Sequence, residues 1–176
     1  MKYFVAELDK NYAHAPQVIN WFPDFQVEKL HKDTQYEIPF RTSLKIKPDP
    51  EVEFTDIISY PCFGVSELVY QILQKFEPNT IVKEMMVYDS KNQKVNLYYI
   101  PILEEVDCLT EQSVFNMDHS LLKKIVINEN KIRDKSLFHL AGVKNHYTIM
   151  RLDLAEALLR RNVKGLTLLE IEVIQD

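Results

Sequence analysis

The stretch that decides the fold is NHYTIMRLDLAEALLRRNVKGLTLLEIEVIQD, residues 145–176, whose pattern is that of a strand, a helix and a second strand. Residues 146–152 have the β-branched and aromatic content of a strand. Gly165 gives the backbone the freedom to end a helix, and the apolar alternation over residues 166–173 predicts a final strand. The stretch carries no catalytic motif, so it indicates a scaffold.

The helix of this unit has a recognisable start. Asp153 stands three residues before Glu156, the spacing at which an N-cap side chain and an N3 carboxylate satisfy each other's free backbone amides. Apolar side chains then follow at helical spacing: Leu154, Ala155, Leu158 and Leu159. We therefore predict a helix over about residues 154–163, with Asp153 as its N-cap.

A second helix is predicted over about residues 66–77. Ser66 is its candidate N-cap, an amphipathic stripe follows, and Pro78 closes the element. Both helical units have a β-branched approach, a capping residue, a glutamate in the first turn and an apolar stripe. An internal duplication is one interpretation, although most amphipathic helices share these features.

The other regular segments are short strands. Residues 82–88 and 95–102 flank a polar turn and predict a hairpin. Further strand-like runs lie at residues 2–8, 43–47, 51–54, 123–127 and 136–140. Because strands outnumber helices and short turns join them, we predict an α+β fold with a mainly antiparallel sheet. The whole chain, 1–176, is read as one domain, with a less regular, aromatic- and proline-containing part at 1–54 and an α+β core at 55–174.

Composition excludes several classes of function. With three glycines in 176 residues, the chain is poorly suited to form phosphate-binding loops, and a net charge of −5 disfavours nucleic acid as a partner and favours a basic protein. Two isolated cysteines predict a reducing compartment. Because the chain has neither a signal-like start nor a membrane-length apolar run, we expect a cytoplasmic protein with no membrane association.

Catalytic and metal signatures are absent from the pattern of the sequence. His139 and His146 lack the spacing of a helical metal motif, and the remaining histidines are isolated. Cys62 has apolar neighbours, which raise the pKa of a thiol and favour a buried structural role. We expect no catalytic residue, no cofactor and no metal site, and hence no enzyme.

Two segments are candidates for protein binding. An acidic connector carries four carboxylates and no basic residue: Glu104, Glu105, Asp107 and Glu111. It is either a solvated connector or a contact patch for a basic partner. The aromatic segment around Trp21, Phe22 and Phe25 either lines the core or, where exposed, forms an interaction hot spot.

The second half of the chain resembles immunity protein family 11 of bacterial polymorphic toxin systems, formerly a domain of unknown function. The matching segments are FGVSE at 63–67, LYYIP at 97–101, DCLTEQSVF at 107–115, LFHLAG at 137–142, RLDLAEALL at 151–159 and GLTLLE at 165–170. The resemblance covers roughly residues 55–174 and implies a non-enzymatic protein that binds and neutralises a cognate protein toxin. It implies no specific set of contact residues. If the toxin is basic, the acidic connector is the contact candidate.

Two alternatives remain open. One is a scaffold or adaptor that forms homo-oligomers through exposed strand edges. The other is a small enzyme whose catalytic residues come together only in three dimensions, for which a histidine beside Cys62 would be the sign.

Overall fold

The computed structural model describes residues 1–175. Its strands are β1 (Tyr3–Leu8), β2 (Val18–Ile19), β3 (Arg41–Ile46), β4 (Ile57–Ile58), β5 (Gly64–Val65), β6 (Val82–Asp89), β7 (Lys94–Pro101), β8 (Glu105–Val106), β9 (Val114–Phe115), β10 (Leu122–Lys124), β11 (Val126–Asn128), β12 (Leu137–Leu140), β13 (Thr148–Arg151) and β14 (Leu166–Ile174). The α-helices are α1 (Glu67–Phe76) and α2 (Leu152–Leu159), and short 3₁₀ turns lie at Val27–Lys29, Gln35–Glu37 and Glu129–Lys131.

Most strands belong to two six-stranded sheets. The first sheet has the order β2-β3-β6-β7-β5-β4, and the second has the order β11-β14-β1-β13-β12-β8. A separate ribbon pairs β9 with β10. Most pairings are antiparallel, but β3 with β6, β11 with β14 and β12 with β8 are parallel. The α+β class predicted from the sequence is confirmed, with mixed rather than purely antiparallel sheets.

The two sheets repeat one topology. The order β3-β6-β7-β5-β4 in the first sheet matches β11-β14-β1-β13-β12 in the second. In both, the first pair is parallel and the next three pairs are antiparallel. We call β3–β7 with α1 the first unit, and β11–β14 with α2 and β1 the second unit. The likeness between the two helical segments therefore extends to the order and direction of the strands in both sheets.

Corresponding hydrogen bonds support this match. The N–H of Ser66, just before α1, donates to the carbonyl of Asp56, which directly precedes β4 (2.8 Å). The N–H of Arg151, just before α2, donates to the carbonyl of Ser136, which directly precedes β12 (2.9 Å). In each unit, the residue that precedes the helix is thus hydrogen-bonded to the residue that precedes β4 or β12, respectively.

The second unit depends on the N-terminus of the chain. Strand β1 lies between β13 and β14, where the first unit has β7. Its register pairs Phe4 with both Met150 and Glu170. The N-terminal part is therefore not peripheral, because it supplies the central strand of the second sheet.

The two units share a core between the sheets. Helix α1 packs on β5 and β7, α2 packs on β13, and the helices pack against each other. Their buried side chains join one apolar cluster with residues of both sheets: Val69, Ile72 and Leu73 from α1, and Leu154, Ala155 and Leu158 from α2. Each sheet also has a separate cluster on its other face. Burial of a Val, Ile or Leu side chain contributes roughly 1.5–3 kcal/mol to the free energy of folding. Because side chains of both helices are buried in the same cluster, this core couples the two units.

Helix α1 and the hairpin match their predictions, but α2 differs. Ser66 accepts a hydrogen bond from the Val69 amide as a helix cap. Helix α2 spans Leu152–Leu159 instead of residues 154–163, and Asp153 is not its N-cap. The reason is that β13 runs straight into the helix, so the first helical amide has a backbone acceptor outside the helix: the Leu152 amide donates to the carbonyl of Lys2, the residue before β1 (3.0 Å). The helix ends early because Asn162 adopts a left-handed conformation (φ 53°) before Gly165 is reached.

The Asp153 carboxylate has another role. It accepts hydrogen bonds from Arg151 Nε (2.8 Å) and Arg151 Nη2 (2.9 Å), which lower the pKa of Asp153.

Two strand predictions also need correction. Residues 51–54 form no strand, because their surroundings offer only isolated backbone contacts such as the Glu53 amide with the His14 carbonyl. Residues 123–127 divide into β10 and β11, which pair with different strands.

Candidate functional site

The acidic connector is placed among basic side chains from distant parts of the chain. Glu104 accepts hydrogen bonds from Lys135 Nζ (3.0 Å) and Lys32 Nζ (3.2 Å). The hydrogen bond from Lys135 is the main reason that the pKa of Glu104 is lowered. Both lysines also line a cleft of about 230 Å³ beside Glu104. Glu104 is therefore part of an ion-pair network.

The other three carboxylates of the connector lie apart. Glu105, on β8, has an oxygen 3.6 Å from His31 Nδ1. Asp107 lies 4.0 Å from Lys131 Nζ and is largely exposed. Glu111 is exposed and lines a different shallow cleft. Lysine side chains thus pair with Glu104 and approach Asp107. The net negative charge around the connector is therefore smaller than its own sequence implies.

The cysteine thiols are held in their protonated form. Cys62 is 6% exposed, and burial raises its pKa to about 12. Burial likewise raises the pKa of Cys108 to about 11. Because the thiolate is the nucleophile, neither side chain is activated in this structure.

The histidines include one strongly perturbed ring. Burial, followed by the influence of His146 and His31, lowers the pKa of His139 to about 3. The His139 Nε2 atom is buried and has no hydrogen-bond partner among residues 1–175. Its ring centroid lies 5.5 Å from that of His146. In this part of the chain, no group of three or more His, Cys, Asp or Glu residues is arranged to hold a metal ion.

Two adjoining clefts form a groove across β1. One has a volume of about 470 Å³, the other about 410 Å³, and Val5, Glu7 and Tyr147 line both. The first also reaches the loop with Tyr60 and Cys62, and the second reaches β10 and β14. We call these two clefts together the β1 groove. Sequence reasoning missed it because its walls come from five separate segments of the chain.

An exposed aromatic cluster stands at the end of the groove that Tyr60 lines. Trp21 packs edge-to-face on Phe22 (6.4 Å between centroids) and on Tyr60 (6.2 Å), and its Nε1 donates to the Tyr60 hydroxyl (3.2 Å). Phe22 is 64% exposed and Tyr60 is 60% exposed, whereas Phe25 is fully buried. Phe25 therefore lines the core, whereas Phe22 is exposed and packs with Trp21 and Tyr60; the hot-spot role of this exposed group stays a prediction.

The β9–β10 hairpin adds a second exposed apolar group. Met117 at its tip is fully exposed, and Leu121, which lines the groove, is half exposed. Hydrogen bonds within the tip hold its shape, including those from the Leu121 amide to Asn116 Oδ1 (2.9 Å) and from Asn116 Nδ2 to Ser120 Oγ (2.9 Å). Exposed apolar side chains on ordered backbone are typical of interaction surfaces.

Neither helix within residues 1–175 has the length and apolar character needed to cross a membrane. Comparison with known proteins adds no assignment: no protein-family model matches the chain, and no curated protein is significantly similar to it in sequence.

Proposed function

We propose that this protein is a non-enzymatic immunity protein that binds and neutralises a cognate toxin. The observation that carries the proposal is the exposed aromatic cluster of Trp21, Phe22 and Tyr60 at the β1 groove. Aromatic side chains that are exposed but already fixed lose little conformational entropy on binding, which is why they dominate many protein interfaces. The sequence resemblance supports the same function.

The chemistry of the groove supports binding over catalysis. Its one cysteine, Cys62, is buried with a pKa of about 12, so at neutral pH it carries no thiolate to attack a substrate. Neutralisation would then be steric, with the toxin's active site or its entry covered by the bound protein.

The acidic connector remains a second contact candidate for a basic toxin. Its carboxylates Glu104, Glu105, Asp107 and Glu111 lie outside the β1 groove. Because lysines already pair with Glu104, charge reversal at Asp107 and Glu111 tests this candidate more cleanly than any change at Glu104.

One observation favours the enzyme alternative. Cys62 and His146 line the same cleft, as a cysteine hydrolase would require. The variant Cys62→Ala separates the two functions. A protein that neutralises the toxin by binding keeps its neutralising activity without the thiol, whereas one that neutralises it by a cysteine-dependent reaction loses that activity.

The test begins with the tagged protein as bait in a lysate of its source organism. A captured partner is then expressed alone and together with this protein in a bacterial host. The proposal predicts that the partner arrests growth alone and that co-expression restores growth. The double variant Phe22→Ala/Tyr60→Ala is expected to lose the rescue, whereas Tyr36→Ala, an exposed aromatic outside the groove, keeps it. A harmless partner, or toxicity that persists on co-expression, contradicts the proposal.

A further inference from the structure

Strand β14 has an unpaired edge. On one side, Leu166–Ile171 pairs along its whole length with β1. On the other side, β11 pairs only with Glu172, Val173 and Ile174. Within the described chain, the edge of β14 from Leu166 to Ile171 therefore has no neighbouring strand.

The direction of the free backbone groups follows from one hydrogen bond. The Glu172 amide donates to the Ile125 carbonyl (3.3 Å), so it points away from β1. Backbone groups alternate in direction along a strand, so those of Leu166, Leu168 and Glu170 point to the same side. The open edge thus offers three donors and three acceptors in the repeat that a β-strand recognises.

The first unit shows how an edge in this position is covered. There, β3 pairs with β6 from Glu84 to Tyr88, and the Glu84 amide donates to the Phe40 carbonyl. The side chain of Lys83 also reaches the Ile38 carbonyl (3.0 Å), so the chain before β3 closes the remaining end of β6. In the second unit, the chain before β11 leaves the edge instead: the Leu122 amide donates to the Tyr147 hydroxyl (3.1 Å) and β10 pairs with β9.

The sequence of the open edge, LTLLEI, is unusual for a strand that faces water. Exposed strand edges normally carry charges or prolines that prevent pairing. Here Leu169 is 50% exposed and Glu170 is the one charged residue in the segment. Leu169 and Glu170 also line the β1 groove, so the open edge is one wall of that groove.

The Glu7 carboxylate lies near this edge and has no ion pair among residues 1–175. Glu7 is partly buried where the two clefts of the groove adjoin, and no cationic group among residues 1–175 lies within 4 Å of its carboxylate. By contrast, Glu170 pairs with Lys2 and Glu172 pairs with Lys124. Lys123 and Lys144 also line the groove, but both are exposed and therefore hydrated.

From these observations we infer that the β1 groove binds an extended segment of a partner polypeptide, which adds a strand to the open edge of β14 and places a lysine or arginine on Glu7. This inference rests on the proposed function and specifies its partner chemistry. Glu7 pairs across the sheet with Thr167, whose small side chain leaves room above it. An added strand would lie about 9–10 Å from β1, a span that only a long basic side chain and a glutamate bridge together.

The test uses a displayed library of random linear 12-residue peptides, selected on the immobilised full-length protein. We expect enriched peptides with alternating apolar residues and a lysine or arginine at a fixed position. Affinity is then measured by fluorescence anisotropy with the best peptide. Glu7→Gln is expected to weaken binding roughly tenfold, the range for loss of a charge-assisted contact. Glu7→Lys should restore binding to the peptide whose basic residue is replaced by glutamate.

A backbone variant tests the added strand separately. Glu170→Pro removes one outward amide while leaving the ladder with β1, and it is expected to weaken binding at least tenfold. Glu170→Ala keeps the amide, so the difference in affinity between Glu170→Pro and Glu170→Ala reports the backbone hydrogen bond alone, and Glu28→Gln is a matched carboxylate change outside both the groove and the acidic connector. Circular dichroism verifies the fold of each variant.

Three results would overturn the inference: no enriched peptide, enriched peptides without a basic residue, or affinities unchanged by Glu7→Gln and Glu170→Pro. A stable dimer that Glu170→Pro dissociates would assign the edge to a second copy of the chain and would also overturn it. Failure here is distinguishable from failure of the proposed function. If both variants still rescue growth from the toxin, the inference falls while the immunity function stands. If no partner is toxic, the function falls whether or not peptides bind.

Discussion

The two units of this protein share strand order, strand direction and helix position, but they differ at one edge. In the first unit, β3 and the residues before it cover β6. In the second unit, β11 covers only three residues of β14, and the chain before it forms the β9–β10 hairpin. The same scaffold thus has one closed edge and one open edge. The groove and the exposed hairpin tip lie where the edge is open, so the departure from the repeat marks the surface available to a partner.

The units differ also in how they are completed. The first unit is built from consecutive residues, whereas the second requires β1 from the start of the chain. Because both helices are buried in one core that the two units share, and the second sheet also needs β1 at its centre, neither unit is expected to fold without the other.

The largest effect is expected from the core that the units share. Leu158 of α2 is fully buried there, and Leu158→Ala should lower the free energy of unfolding by about 2–5 kcal/mol. Its neighbour Leu159 is 52% exposed, so Leu159→Ala is the matched control with an effect below about 0.5 kcal/mol. Urea unfolding is monitored by the fluorescence of Trp21, the single tryptophan, which lies in the N-terminal segment beside the first sheet.

If the units are coupled, Trp21 fluorescence and far-UV circular dichroism will report the same shifted midpoint in Leu158→Ala. A tryptophan transition that stays in place while the circular dichroism shifts would show that the units unfold independently.

The next effect concerns a position at which the units differ. Gly64 of β5 faces Ile58, whereas the second unit has Ile149 at the matching position, facing Phe138. A Cβ on Gly64 would lie 2.7 Å from Ile100 Cδ1 and 2.8 Å from Ile58 Cγ1. Gly64→Ala is therefore expected to cost about 1–3 kcal/mol of stability by overpacking. Adding Ile100→Val, which removes the Cδ1 atom of the closest contact, should recover part of this loss in urea unfolding, and equal stability of Gly64→Ala and the native protein would contradict the packing.

His139 in β12 and His14 in the N-terminal segment should affect the stability of the protein in opposite directions when the pH is lowered. Burial lowers the pKa of His139 to about 3, so between pH 6.5 and 3 the unfolded state binds a proton that the folded state does not. Stability from this residue is therefore present above pH 6.5 and is lost as the pH falls, by about 2 kcal/mol at pH 5. His139→Gln is expected to reduce the difference between urea midpoints at pH 7 and pH 5.

His14, in the N-terminal segment, is the contrast. Its Nδ1 lies 2.8 Å from Asp49 Oδ2, and this hydrogen bond raises the pKa of His14. Its contribution is present below pH 6.5 and is lost as the pH rises, so His14→Gln should steepen the loss of stability on acidification. The same pH response in both variants would contradict the assigned environments.

The smallest effect separates the starts of the two helices. Ser66 caps α1 through its side chain, so Ser66→Ala should cost about 1 kcal/mol in urea unfolding. Helix α2 begins directly after β13 without a side-chain cap, and Asp153→Ala, which removes a partly exposed ion pair with Arg151, should cost less. The reverse order would restore Asp153 as the N-cap that its spacing predicts.

Local patterns in the sequence predicted the local structure well. Helix α1, the β6–β7 hairpin and β14 follow from capping residues, alternation and turn composition, because each depends on contacts between near neighbours in sequence. The repeated topology is visible in the sequence only as a likeness between the two helical segments. Its extension to whole sheets, with β1 in the place of β7, arises from pairings between residues more than 140 positions apart.

The candidate site was less accessible to prediction. The aromatic segment was recognised, but only the fold separates exposed Phe22 from buried Phe25. The acidic connector has no basic residue in its own sequence, whereas Lys32 and Lys135 reach Glu104 from distant segments. Glu7 lies in a strand whose apolar and polar residues alternate in the usual way. Its lack of an ion pair among residues 1–175 depends on where the fold places the lysine and arginine side chains, which the sequence does not show.

If the open edge of the second unit binds the partner, amide hydrogen exchange at single-residue resolution will show it. In the free protein, the amides of Leu168 and Glu170 should exchange much faster than those of Met86 and Tyr88, which face β3 in the first unit. Binding of the partner should slow exchange at Leu168 and Glu170 and leave Met86 and Tyr88 unchanged. Equal protection of both pairs in the free protein, or partner-induced protection confined to other segments, would contradict this role of the edge.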